Sequence, residues 1–270
     1  MIAHLINTDV GGRGVRELYL RYRLENPAFL GRAAQELLEN ADRTLIVTGF
    51  PIPPLDIPET DGPLGALALY LGIEELGGKA EILTYPEVEE ALKGMGVKFT
   101  REPLLERYTL LISVETPGRA EDWRYYSMSG LEVKAKPYDG LFIDALERGT
   151  PTIGIGDGGN EIGMGNVKPL VEEYIPLGKR IASTVGAKHL VLSAVSNWGA
   201  YGLLAQASLA FGKNLLKGWD ERENLKALVE AGIIDGVVKK VAMSVDGISV
   251  DVHERFLELL REIVIEKISP

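Results

Sequence analysis

The chain has 270 residues, 46% of them hydrophobic, which is enough to build one large core. Its 29 basic and 39 acidic side chains leave a net charge of -10, which argues against a nucleic-acid backbone as partner. No cysteine is present, so disulfides, thiolate nucleophiles, iron-sulfur clusters and thiolate-bound zinc are excluded, and any metal must sit on oxygen or imidazole.

The N-terminus, MIAHLINTDVGG, carries no basic region ahead of its apolar residues and no small-residue cleavage pattern, so no signal peptide is expected. The longest apolar stretch, residues 63–73, falls well short of the roughly 20 residues a membrane helix needs. The expectation is a cytoplasmic protein with no membrane partner. A helix over 26–40 leads to an apolar strand at 44–48. Beyond it, Asp61 followed by Pro63 reads as the N-cap and first turn of a helix over 62–76, while Glu59 has no evident structural duty. Free N–H groups at that helix start would seat a substrate carboxylate. A strand at 79–84 and a helix at 86–95 follow, then a strand at 109–114 that delivers Glu115, a carboxylate placed to act as base or ligand, with Arg119 available to grip a carboxylate bidentately. Next come a helix at 138–148, a strand at 152–155, a helix at 167–184 and a strand at 189–195 that ends on Ser196-Asn197. The Asn197 amide is placed to orient a ligand, while Trp123, Trp198 and Tyr201 read as packing residues. Helices at 200–215 and 221–231, a strand at 241–245 and a helix at 252–266 complete the chain. Asp251 and Glu254 have capping-box spacing, and His253 in the first turn is kept neutral by the helix dipole, as a base, ligand or packing residue.

Short apolar strands alternating with longer amphipathic stretches predict a three-layer α/β domain, a mostly parallel sheet flanked by helices, spanning 1–270 as a single unit. In such sheets ligands bind beyond the carboxyl ends of the strands. There lies the most distinctive segment, GIGDGGNEIGMG (154–165), with six glycines in twelve residues. Glycine visits positive φ without steric cost, so the N–H groups around Gly156, Gly158 and Gly159 could cradle an anion. Asp157, Asn160 and Glu161 add oxygen ligands suited to Mg²⁺ or Mn²⁺. A tight structural turn is the plainer alternative. Formally the loop contains G-x-G-x-x-G, but no helix opens at its third glycine and no acid ends the next strand, so no nucleotide cofactor is expected.

GIGDGGNEIGMG, together with ETDGP from Glu59, ETPGRAEDW, YYSMSG, SNWGAY from Ser196 and DGISVDVH from Asp246, resembles the C-terminal domain of the D-glutamate cyclase family. The resemblance covers almost the whole chain and implies a lyase that converts D-glutamate to 5-oxo-D-proline and water. Under it, Asp157, Asn160 and Glu161 would surround the reacting carboxylate and its metal, with Asp61 or Glu115 in proton transfer and Asn197 and Arg119 orienting the amino acid. The expected partner is a small acidic metabolite, and a homo-oligomer is compatible with the sequence. The competing reading is a noncatalytic module that holds a phosphate- or carboxylate-bearing ligand in the glycine loop.

Overall fold

The computed structural model describes residues 1–268. Helices α1 (Ile2–Leu5), α2 (Val15–Glu25) and α3 (Phe29–Asn40) precede strand β1 (Arg43–Thr48), and a hairpin of β2 (Pro51–Ile52) and β3 (Ile57–Pro58) separates β1 from α4 (Pro63–Glu75). The chain continues through β4 (Lys79–Leu83), α5 (Pro86–Leu92), β5 (Leu110–Val114), α6 (Asp139–Glu147), β6 (Thr152–Gly156), α7 (Lys168–Tyr174), α8 (Gly178–Ile181) and β7 (His189–Leu192). Helices α9 (Ser196–Phe211) and α10 (Glu221–Glu230), a second hairpin of β8 (Ser244–Val245) and β9 (Ile248–Ser249), and α11 (Val250–Ile268) complete it.

Five strands form one parallel sheet in the order β4-β1-β5-β6-β7. Side chains alternate between its faces, as strand geometry requires. Ile46, Ile112, Ile153 and Ile155 pack with residues of α3, α4 and α9 such as Leu37, Leu67 and Leu204. Leu45, Val47 and Leu111 meet Phe142 and Ala145 of α6 on the opposite face. This is the three-layer α/β arrangement that the apolar strands predict. Chain order reverses between β1 and β5, so their connections diverge to opposite sides and open a crevice at the carboxyl edge.

The structure departs from expectation at several elements, beginning with α1 and the β2–β3 hairpin, neither of which the sequence reading contains. Helix α2 is absent from the sequence reading, although Val15, Leu18, Tyr19 and Tyr22 bury one face at helical spacing. The helix expected over 167–184 is two short ones, because Pro176 excludes helical geometry at Ile175, which is extended with φ -97° and ψ 133°. Strand β7 stops at Leu192 and α9 begins at Ser196, earlier than its local sequence indicates. The segment 241–245 contributes only Ser244–Val245, paired antiparallel with β9 outside the main sheet. Among the described residues no helix is long and apolar enough to cross a membrane.

Candidate functional site

The carboxyl edge of the sheet gathers acids from distant parts of the chain. Glu59 and Asp61 follow β3, Glu115 follows β5, Asp157 and Glu161 follow β6, and Asp246 lies in the turn between β8 and β9; all are buried. A cavity of about 350 Å³ is lined by Glu59, Glu115, Asp157, Asn160, Glu161 and Asp246, with Arg13 and Lys239. Glu115 and Asp246 both adopt positive φ, 44° and 56°. Non-glycine residues rarely take that conformation, and it turns both acids at the ends of their elements.

The glycine loop has a specific internal role. Backbone N–H groups of Asp157 (3.0 Å) and Gly158 (2.6 Å) donate to Glu161 Oε1, and that of Gly159 (2.7 Å) donates to Oε2. The anion in the cradle is therefore the chain's own Glu161. Gly159 has φ 107°, and a Cβ there would stand 2.5 Å from Val171 Cγ1, so only glycine fits. Asn160 donates its amide N–H to the Tyr126 carbonyl at 2.6 Å and still lines the cavity.

Asp61 caps a helix, but not its own. It lies just before Gly62, the N-cap of α4, and accepts the N–H groups of Ser196 and Asn197 at 2.8 Å each, capping α9 across the crevice. Asn197 does the converse: its Oδ1 accepts from Gly62 (2.9 Å) and Gly65 (2.7 Å) at the start of α4, while its amide donates to the Thr60 carbonyl at 3.1 Å. Two helix N-termini are thus satisfied reciprocally. Close approach at Gly62 supports this, since a Cβ there would meet Glu115 Cβ and Thr48 Oγ1 at 2.8 Å. Neither Asp61 nor Asn197 lines the cavity. Ser196 donates its hydroxyl to Glu115 Oε2 at 2.6 Å and so links the α9 start to the cavity wall.

Two other expected site residues sit elsewhere. Arg119 grips a chain carboxylate, with Nε 2.6 Å and Nη2 2.9 Å from Asp139, which also accepts from the Tyr125 hydroxyl at 2.8 Å. His253 is fully buried, accepting from Trp198 Nε1 at Nδ1 (2.8 Å) while its Nε2 contacts the Val245 carbonyl at 3.2 Å. Burial holds its pKa below the usual value, so it packs as a neutral imidazole against the hairpin that carries Asp246. Sequence reasoning missed three charged residues of the cavity, Arg13, Asp246 and the exposed Lys239. Arg13 donates to Asp157, to Asp246 at 2.7 Å and to the Ala194 carbonyl at 2.7 Å. Its only sequence signal is a lone arginine between glycines, Gly12 and Gly14. Asp246 belongs to the quoted DGISVDVH segment, but nothing local marks it for the cavity.

Burial and mutual repulsion shift the acids together. Glu59, Asp61 and Glu115 are pushed well above the carboxylate range, in each case by burial first and then by neighbouring carboxylates. Asp157 rises to about 6, with burial outweighing the opposing pull of Arg13, and Asp246 rises to about 7 for the same reason. A low-dielectric cluster of this kind holds protons near neutral pH unless a cation replaces them. Carboxylate oxygens of Asp61, Asp157 and Asp246 lie within 4.8 Å of one another, as do those of Glu115, Asp157 and Glu161. Glu59, only 7% exposed, lines the same cavity. This all-oxygen donor set fits a hard divalent cation.

The comparisons with known proteins agree with the motifs. A family model described as D-glutamate cyclase-like, C-terminal, matches residues 2–261. Human mitochondrial D-glutamate cyclase is 30% identical over 321 aligned residues, covering 96% of this chain and 50% of that protein. The chain thus spans about half the length of that curated relative. Among solved structures, exonuclease RecJ bound to manganese is similar at a TM-score of 0.39 and 14% identity, over 75% of this chain and 42% of that one. RecJ in complex with Mn²⁺ from Thermus thermophilus has a TM-score of 0.38 and 15% identity, over 75% of this chain and 23% of that one. Likeness at that level does not bear on chemistry, whereas the family match runs through every element that supplies a cavity acid. On that match the chain belongs to the D-glutamate cyclase-like, C-terminal family.

Proposed function

We propose that this chain is a small-molecule lyase that closes D-glutamate to 5-oxo-D-proline with loss of water, assisted by Mg²⁺ or Mn²⁺. The observation that carries the reading is a cavity of raised-pKa carboxyl groups at the carboxyl edge of a sheet whose family is that of D-glutamate cyclase. In the reaction the amine nitrogen bonds to the γ-carboxyl carbon, one C–O bond breaks, and two ammonium protons leave with that oxygen as water. Asp157, with a pKa near 6, is the base that takes the first proton from the ammonium group. Glu115, held protonated by burial and hydrogen-bonded to Ser196, gives a proton to the departing oxygen. It fills this role better than Asp61, whose oxygens already accept the α9 amides. Lys239 is the lining cation with no ion pair among the described residues, and it orients the substrate α-carboxylate at the cavity mouth. Asp157 and Asp246, from the grouping that leaves Glu115 free to carry its proton, would hold the divalent cation, which when bound supplies positive charge to polarise the γ-carboxylate.

The competing binding-module reading loses its main support, because Glu161 already occupies the loop's N–H cradle. The test is a mass-resolved assay with D- and L-glutamate, each with Mg²⁺, Mn²⁺ or chelator. Loss of water from the D-enantiomer is expected. Absence of product from both enantiomers with either metal would refute the reaction.

A further inference from the structure

Residues 8–14 form a surface strap between α1 and α2. Thr8, Val10, Gly11, Gly12 and Gly14 are exposed, and the strap's internal bonds are local, with Asp9 accepting the N–H groups of Arg13 and Gly14 at 3.0 Å each. Among the described residues, its hydrogen bonds to the rest of the fold beyond residue 14 all come from one group, the Arg13 guanidinium. A single nitrogen of that group, Nη2, serves Asp157 Oδ2, Asp246 Oδ2 and the Ala194 carbonyl together. Asp157 and Asp246 also belong to one of the two carboxylate groupings able to hold a cation, and Asp157 is shared with the other. An ion coordinated by the Asp157 and Asp246 oxygens would stand where Nη2 now stands, and two positive centres cannot occupy one small buried space.

We propose that Arg13 is a tethered substitute cation: its guanidinium and a divalent cation exclude one another at Asp157 and Asp246, so that loading the cavity releases the strap 8–14. This rests on the metal-assisted reading above and adds how access to that site is controlled. The arginine neutralises the cluster when no ion is bound, and its withdrawal opens the wall where the strap meets the cavity.

The experiment is calorimetric titration of Mn²⁺ into the wild-type protein and Arg13→Met, with amide hydrogen exchange of residues 8–14 in the wild type with and without Mn²⁺. Mutual exclusion predicts that Arg13→Met binds Mn²⁺ on the order of tenfold tighter, and that exchange in the wild-type strap accelerates by a similar factor on saturation. Wild-type Mn²⁺ binding with equal or weaker affinity in the variant, and with strap exchange unchanged or slowed, would overturn the proposal while sparing the metal reading. If Arg13→Met does not fold, the wild-type exchange result decides alone. No Mn²⁺ binding by either protein would overturn both.

Discussion

Replacing Glu161 with glutamine tests the loop architecture most sharply. The carboxylate accepts N–H groups at 3.0, 2.6 and 2.7 Å, two on one oxygen and one on the other. In Glu161→Gln the amide oxygen can keep the pair from Asp157 and Gly158, now as a neutral acceptor, which costs about 1 kcal/mol for each bond. The amide nitrogen then faces the Gly159 N–H, donor against donor, leaving a buried group unsatisfied at a further cost of about 2 kcal/mol. Relief of repulsion with Glu115 and Asp157, both raised by Glu161, offsets part of this. The net expectation is a loss of about 3 kcal/mol, a large share of the roughly 5–15 kcal/mol that stabilises a typical domain. Urea unfolding at neutral pH measures it, with exchange of the amides of Asp157, Gly158 and Gly159 as the local readout. A variant within about 0.5 kcal/mol of wild type, with those amides still protected, would refute the cradle as the loop's organising feature.

Arg119→Met should destabilise the fold by about 3 kcal/mol, because buried Asp139 loses its bidentate partner, while leaving KM for any turned-over substrate unchanged. A raised KM in a stable variant would return Arg119 to the substrate. His253→Leu leaves the Trp198 indole N–H without an acceptor and should cost about 2 kcal/mol by thermal unfolding. Unchanged stability would contradict the buried contact. The acids also predict a pH dependence. Asp246 rises from 3.8 to about 7 and Asp157 from 3.8 to about 6, so between those values the native state keeps protons that the unfolded chain has lost. Their contribution is complete below 3.8 and is lost as pH climbs through the folded values. In chelator, Tm should fall from about pH 5 to about pH 7.5, and saturating Mn²⁺ should flatten that fall; a Tm rising with pH in chelator would contradict the raised values.

The sheet was legible because strands covered on both faces are written as apolar runs, and β1, β5 and β6 are buried almost throughout. Strand ends then pointed to Glu115, Asp157, Asn160 and Glu161, which the structure brings to one cavity with Glu59. What stayed hidden depends on partners far away in the chain. The start of α9 has no local cap because Asp61, 135 residues earlier than Ser196, supplies it. Spacing gave Asp61 to its own helix for the same reason. The identity of the anion in the loop could not be read either, since whether Glu161 folds inward is decided by the turn at Gly159 and the Val171 side chain packed against it. Arg13 reaches the acids from a glycine-rich strap that has no periodicity to read.

If the carboxylate cavity is where D-glutamate reacts, the most direct measurement is turnover by Asp157→Asn beside the wild-type protein, with near-UV circular dichroism establishing that both are folded. The expected result is water loss from D-glutamate by wild type and its abolition in a folded Asp157→Asn. Turnover by Asp157→Asn at the wild-type rate would contradict the assignment of the cavity as the reaction centre.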